Sequence, residues 1–154
     1  MNYKDALNSI IKLQSLGIMP GLSRIFALLD ELDNPQDKIK VIHIAGTNGK
    51  GTIAKLISDS LIAEGYSVGL FSSPFVCDYR EQIQINNDFI SETDFAKQIE
   101  KILPLAIKNQ TTEFETLTAL MFNYFYEKKV DFAVVECGMG GKQDSTNVVK
   151  KPTL

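Results

Sequence analysis

Residues 43–52 read HIAGTNGKGT, three glycines, a lysine and two threonines set between an apolar run and a helical stripe. A helix that starts directly after a strand presents unpaired backbone N–H groups and the positive end of its dipole, and both attract phosphate. Glycine lets the backbone come close to such an anion. In this stretch Gly46 and Gly49 shape the turn, Lys50 meets the outer phosphates, and the hydroxyl of Thr52 reaches a magnesium ion. The common pattern G-x-x-x-x-G-K-[ST] is not matched, because two residues, Thr47 and Asn48, separate the glycines and Gly51 stands between Lys50 and Thr52. What remains is the order strand, glycine turn, lysine, helix, which carries the physics. The competing reading is a glycine-rich turn with a solvated lysine.

Two further stretches belong with this turn. Ser72 and Ser73, in SSPFVCDYRE, follow an apolar run and are expected at the carboxyl edge of a sheet, where open α/β folds bind ligands. Two serines before a proline also make an ordinary turn. Glu136 ends the run FAVVE, where a carboxylate holds magnesium opposite a phosphate loop, or else pairs with a lysine. His43, the only histidine, lies inside an apolar run and reads as a satisfied core residue, and a single imidazole excludes two-histidine mechanisms within this chain. Glu113, Glu115 and Glu127 read by default as solvated helix surface, although TEFE opens its helix where carboxylates favour the dipole.

The elements that must position these groups follow from periodicity. Tyr3, Leu7, Ile10 and Ile11 predict a helix over 3–16 stopped by Gly17, and GIMPGLSR is a loop before a second helix that ends ahead of DNPQD. KVIHIA is a strand. Ile53, Leu56, Ile57 and Leu61 form a helical stripe ending at Gly65, YSVGLFSS is another strand, and QIQINNDFI a hairpin turning at Asn86 and Asn87. SETD at 91–94 has capping-box spacing, so a helix is predicted from Glu92 to about Lys108. Phe114, Leu117, Thr118, Met121 and Phe125 mark one core-facing helix face, and DFAVVECGMGG starts as an apolar strand. Alternating strands and helices predict an α/β fold, a mostly parallel sheet flanked by helices. NVVKKPTL reads as a further strand beginning, so the chain is expected to be truncated.

The 154 residues suit one domain, and 44% hydrophobic with 23% charged residues is ordinary for a globular protein. A net charge of −3 gives no broad attraction to nucleic acid or anionic lipid. The polar N-terminus and the lack of a long apolar run predict a cytoplasmic protein without a membrane partner. Cys77 and Cys137 lack the number and spacing of a disulfide framework or zinc site and are read as reduced thiols.

HIAGTNGKGT, SSPFVCDYREQIQIN, TEFETLTALMFNYF and VVECGMGGKQDSTNVV occur in the order and spacing of the folylpolyglutamate synthase and dihydrofolate synthase family, a branch of the Mur-type peptide ligases. The chain resembles the front part of such a protein. The resemblance implies a P-loop NTPase-like ATPase domain of Mur central type, with residues 1–154 its N-terminal part and the glutamate-ligase domain absent. It implies a ligase, monomeric at full length, that uses ATP and Mg2+ to phosphorylate a folate carboxylate and lets the amine of L-glutamate displace the phosphate. By the same resemblance Gly46, Thr47, Asn48, Gly49, Lys50, Gly51 and Thr52 form the ATP-phosphate loop, with Lys50 catalytic, and Ser73, Glu136 and Thr52 hold the magnesium. Leu22, Ser23 and Arg24, then Thr112, Glu113, Phe114 and Glu115, then Gln143, Asp144 and Ser145, form the folate pocket. Phe75, where many relatives have histidine, favours polyglutamylation over a dihydrofolate synthase role. Lys142 and Gln143 replace an Arg-Leu pair common in bifunctional members. The family's histidine magnesium ligand and modified lysine lie beyond these motifs, so the chain alone is expected to be inactive. A dihydrofolate synthase, another Mur-type ligase, or a nucleotide-binding module without ligase activity are the alternatives.

Overall fold

The computed structural model of the chain describes residues 1–17, 19–138 and 142–154. Five strands form one sheet: β1 (Lys40–Ile44), β2 (Val68–Phe71), β3 (Ile83–Ile85), β4 (Asp88–Phe89) and β5 (Phe132–Glu136), in the spatial order β1-β5-β2-β3-β4. β1, β5 and β2 are parallel, while β3 and β4 add an antiparallel hairpin. The parallel expectation therefore holds for the strands that carry candidate residues, and the whole sheet is mixed. The hairpin turns at Asn86 and Asn87, whose φ values of 50° and 70° suit asparagine.

Among the described residues five α-helices accompany the sheet: α1 (Tyr3–Lys12), α2 (Ser23–Glu31), α3 (Lys50–Ala63), α4 (Glu92–Lys108) and α5 (Glu113–Glu127). The strand period of two sorts side chains onto two faces. Ile42, Val68, Leu70 and Val134 pack with Ala54 of α3, whereas Val41, Phe71, Ala133 and Val135 join the larger core built with α1, α2, α4 and α5. The stripe expected on α3 is offset by one residue. Ala54, Ile57, Ser58 and Leu61 meet the sheet side, and Ile53 and Leu56 are 49% and 61% exposed.

α5 departs further from a simple stripe. Every residue from Glu115 to Phe125 is buried, because the helix lies between the sheet and the other three helices of that face. A helix enclosed all round has no polar side to show. Phe125 rests on Gly69 of β2, where a Cβ would come within 2.8 Å of its ring atoms.

The remaining differences lie at ends of elements. The first helix becomes a 3-10 turn at Leu13–Leu16 and stops at Gly17 with φ 67°. Ser91 caps α4 by accepting from the Asp94 N–H, but the Asp94 carboxylate pairs with Lys128 at 2.9 Å, so the expected reciprocal cap is replaced by an ion pair. The 66–73 run is a strand only over β2. Residues 147–151 form no strand; Thr153 donates to the Val41 carbonyl at 2.6 Å and Leu154 accepts from the His43 N–H at 3.1 Å, along the outer edge of β1. Ile18 and residues 139–141 of the GMGG run fall outside the described residues. No helix of the described residues is long and apolar enough to cross a membrane.

Gly69→Ala is expected to lower stability by about 1–3 kcal/mol through overpacking against Phe125, read as a lower urea midpoint with unchanged m-value. Adding Phe125→Leu should recover part of the loss; a neutral Gly69→Ala would show that the ring moves freely.

Candidate functional site

β1 ends at Ile44 and α3 begins at Lys50, so the glycine turn occupies the strand-to-helix junction that its composition indicates. Gly49 precedes the helix with φ 76°, a left-handed conformation that strains any residue with a Cβ. No side chain caps this helix. Its first N–H groups are therefore left to an incoming acceptor, the arrangement that attracts an anion. Thr47 and Asn48 are exposed in the turn. Lys50 reaches across to β5, where its Nζ donates to the Cys137 carbonyl at 3.1 Å.

The parallel register brings the other two strand ends to this turn. Ile44 lies level with Glu136, Phe71 with Val135, and the Cys137 N–H donates to the Ile44 carbonyl at 2.8 Å. Glu136 is 7% exposed. Burial raises its carboxyl above the ordinary glutamate range, while a hydrogen bond from the Ser73 backbone and the charge of Lys50 pull the other way. Among the described residues no salt bridge closes on Glu136, so the lysine-paired reading of this carboxylate fails. Gly51 comes up against it: a Cβ there would stand 3.6 Å from Oε2 and fill the ground beside the carboxylate. Thr52 is exposed in the first turn of α3. No group of three His, Cys, Asp or Glu side chains suited to a metal occurs among the described residues. A cation here would rest on one carboxylate, hydroxyls and water, a donor set that suits magnesium.

A second set of candidate residues closes around the start of α5. Arg24 donates from Nε to Glu115 Oε2 at 3.2 Å and from its terminal nitrogen to Oε1 at 2.9 Å and to the Met19 carbonyl at 2.6 Å. Glu115 is 2% exposed and also completes a capping box, accepting from the Thr112 N–H at 2.8 Å and donating its own N–H to the Thr112 hydroxyl at 3.3 Å. The expectation of a solvated Glu115 is thereby corrected: it is a buried, fully engaged carboxylate. Glu113 accepts from the Tyr79 hydroxyl, whose pKa burial drives up. Glu127 is exposed, as expected, beside Lys101 at 2.8 Å. Leu22 packs on the core and Ser23 is exposed.

Gly138, two residues after Glu136, joins the two sets. A Cβ there would lie 2.6 Å from Phe114 Cζ and 3.0 Å from Asp144 Oδ2, so Phe114 and Asp144 close over a position that only glycine can occupy. Asp144 Oδ1 accepts from the Thr146 backbone N–H at 2.9 Å and from the Thr146 hydroxyl, and the same hydroxyl oxygen lies 2.8 Å from His43 Nε2. The Cys137 thiol joins this group, its pKa pushed up by burial. His43 is thus a partnered histidine, as its pattern indicated. Gln143 is exposed and Ser145 half-buried. Thr146, Gly138 and Tyr79 carry no motif that singles them out; only the glycine of Gly138, in a run of small residues, hinted at close packing.

The intervening SSPFVCDYRE loop is organised by Glu81, which accepts from the N–H groups of Val76, Cys77 and Asp78 at 2.8, 3.0 and 2.8 Å. Phe75 lies half exposed against Tyr79 with ring centroids 5.3 Å apart. Cys77 and Cys137 are both free thiols.

No family model matches the chain. It is 41% identical over 155 residues to a dihydrofolate synthase/folylpolyglutamate synthase of Bacillus subtilis, with 96% of this chain and 36% of that protein covered. A folylpolyglutamate synthase of Lacticaseibacillus casei is 38% identical, with 97% and 36% covered. The crystal structure of a folylpolyglutamate synthase from Thermotoga maritima superposes with a TM-score of 0.91 at 42% identity, covering 97% of this chain and 36% of that one. A solved complex of such a synthase with AMPPCP and folate gives 0.92 at 38% identity, covering 99% and 38%. The chain therefore spans about a third of the length of the curated relatives it matches. Along nearly its whole length it is homologous to, and shares the fold of, that part of the folylpolyglutamate and dihydrofolate synthases.

Two outcomes follow from the contrast between the two carboxylates. Arg24→Met, which strands Glu115 without its cation, is expected to cost about 3–5 kcal/mol in chemical denaturation, and Glu115→Gln in the same chain should restore part of it. For Glu136 the folded-state pKa is raised, so its ionisation opposes folding: stability is lost as pH rises through the ordinary carboxylate value toward the raised one. Glu136→Gln should accordingly raise the melting temperature of the metal-free protein at neutral pH, with the gain vanishing in acid; a lower melting temperature at neutral pH would make Glu136 a structural residue.

Proposed function

We propose, with this homology as the premise, that the chain is part of an ATP-dependent ligase that joins glutamate to the γ-carboxylate of a folate through an acyl phosphate. The observation that carries the reading is the convergence of an uncapped glycine turn, Lys50 and a buried Glu136, on which no salt bridge closes among the described residues, at the carboxyl ends of adjacent parallel strands. A carboxylate resists an amine because its charge repels the nucleophile and oxide is a poor leaving group. Phosphorylation supplies both a leaving group and an open carbonyl, and that transfer depends mainly on positioning and charge neutralisation.

In this reading the backbone from Gly46 to Gly49, with Thr47 and Asn48, and the first turn of α3 through Gly51 cradle the phosphates. Lys50, whose ammonium donates to the neutral carbonyl of Cys137, swings to the outer phosphate oxygens. Glu136, Ser73 and Thr52 would hold the magnesium; the fit rests on a hard-oxygen donor set around a buried carboxylate on which no salt bridge closes among the described residues. When bound, that ion neutralises phosphate charge. Phe114 offers a ring face and Asp144 a carboxylate for the N–H groups of the folate, with Leu22, Ser23, Thr112, Glu113, Gln143 and Ser145 around them. Arg24 and Glu115 act as the brace of this pocket.

Residues 1–154 are then the N-terminal part of the ATPase domain, and the length of the relatives beyond this chain provides the domain that receives L-glutamate. The complete protein is a cytoplasmic monomer, and these 154 residues alone release no phosphate. Phe75, where many relatives have histidine, favours polyglutamylation in this reading.

The test is phosphate release by the complete protein with ATP, glutamate and either reduced folates or dihydropteroate. Folate-dependent release is expected, and release with dihydropteroate alone would make it a dihydrofolate synthase. Lys50→Ala should lower kcat by about a hundredfold or more, a loss on the order of 3 kcal/mol, as removal of a transition-state charge partner does. Turnover near that of the parent protein would reject the role of Lys50, and nucleotide binding without release would leave a binding module.

A further inference from the structure

The hydrogen bonds behind Asp144 run in a fixed direction. A threonine hydroxyl has one proton, and that of Thr146 is given to Asp144 Oδ1, since a carboxylate only accepts. The oxygen of Thr146 must then accept at its other contact, 2.8 Å away, from His43 Nε2. His43 thus carries its proton on Nε2. It sits in β1, three residues before the glycine turn, so the chain of bonds links the strand behind the phosphate loop to a carboxylate on the folate side.

We propose that His43 is a positioning residue for the folate: it donates Nε2–H to Thr146, fixes the hydroxyl rotor on Asp144, and so holds that carboxylate in its folate-facing orientation. This rests on the reading of Asp144 given above. The Thr146 backbone N–H gripping the same oxygen at 2.9 Å sets the limit of the effect, since that bond, and the Cys137 thiol beside the carboxylate, remain when the imidazole is lost.

The experiment uses the complete protein with ring-15N histidine, the His43 resonance being identified by its loss in His43→Gln. The expected tautomer is Nε2–H, with Nδ1 bare, and Thr146→Val should remove the hydrogen-bonded Nε2–H signal. In kinetics, His43→Leu should raise the KM for folate by several-fold, up to about tenfold, the size of one lost hydrogen bond, and leave kcat and the KM for ATP within about twofold. His43→Gln, whose amide can donate from nearly the same place, should recover most of the folate KM. In a Thr146→Val background His43→Leu should add nothing, because both act through one chain of bonds. If His43→Leu does not fold, the tautomer and the Gln and Val variants carry the test. A proton on Nδ1, equal losses in the Leu and Gln variants, or additive effects with Thr146→Val would each overturn the role of His43. A parent protein without folate-dependent turnover would defeat the ligase reading itself, whereas parent turnover with unmoved folate KM in the variants would defeat only the positioning role.

Discussion

The carboxyl edge of this sheet is governed by a carboxylate taken out of water on which no salt bridge closes among the described residues. Glu136 is held at the strand end, its backbone level with Ile44 of β1 and its carboxylate accepting from the Ser73 backbone. Lys50, the nearby positive charge, gives its ammonium to the Cys137 carbonyl. The uncapped turn beside it attracts an anion, yet an anion there would meet the negative charge of Glu136. A hard cation between the two removes both conflicts, which is why the metal-binding and phosphate-binding readings support each other. Each alone would be an ordinary strand end or an ordinary turn.

Glu115 shows the opposite solution to the same problem. It is also buried, but two bonds from Arg24 and one from the Thr112 backbone engage its oxygens. Removing an ion from water is tolerable when geometry and hydrogen bonds are this complete. Such a group is structural in character: it ties the loop before α2 to the start of α5, and α5 is the helix on which the whole larger core is built. The brace holds Phe114 at a set height over Gly138. The difference between the two carboxylates, one completed by the chain and one left incomplete, separates scaffold from chemistry more sharply than residue type does.

This difference explains what was legible in the sequence. The glycine turn could be read from local order alone, since strand, Gly46, Gly49, Lys50 and helix follow one another and their physics is that of neighbours in the chain. The strand-end places of Ser73 and Glu136 could be read for the same reason. The partner of Glu115 could not, because Arg24 stands 91 residues away and only the packing of α2 on α5 brings them together. Helical periodicity marked Phe114, Leu117, Met121 and Phe125 as core, but a stripe cannot reveal that a helix is enclosed on every side. The offset on α3 has a similar cause: Ala54 and Ser58 are small and only weakly apolar, so a hydrophobicity pattern favours Ile53 and Leu56, while close approach to the sheet favours the smaller pair. The four-motif resemblance located most of the candidate site, yet Thr146 and Gly138 lay silent within it, since a hydroxyl and a missing side chain leave no pattern.

The direction in which the chain leaves each strand completes the argument for where a ligand must lie. After β1 it turns into α3, on the face with the smaller core, whereas after β5 it passes to the other face, where Val148 and Val149 join the larger core. β1 and β5 are neighbours, so the chain leaves their carboxyl ends to opposite sides, the topology at which open α/β sheets bind ligands. Lys50 bridges these strand ends to the Cys137 carbonyl, Glu136 stands beside it, and the His43 to Asp144 chain of bonds continues from β1. The site is therefore a consequence of strand order, and the residues that fill it are those that could not be placed there without a central strand held on both sides.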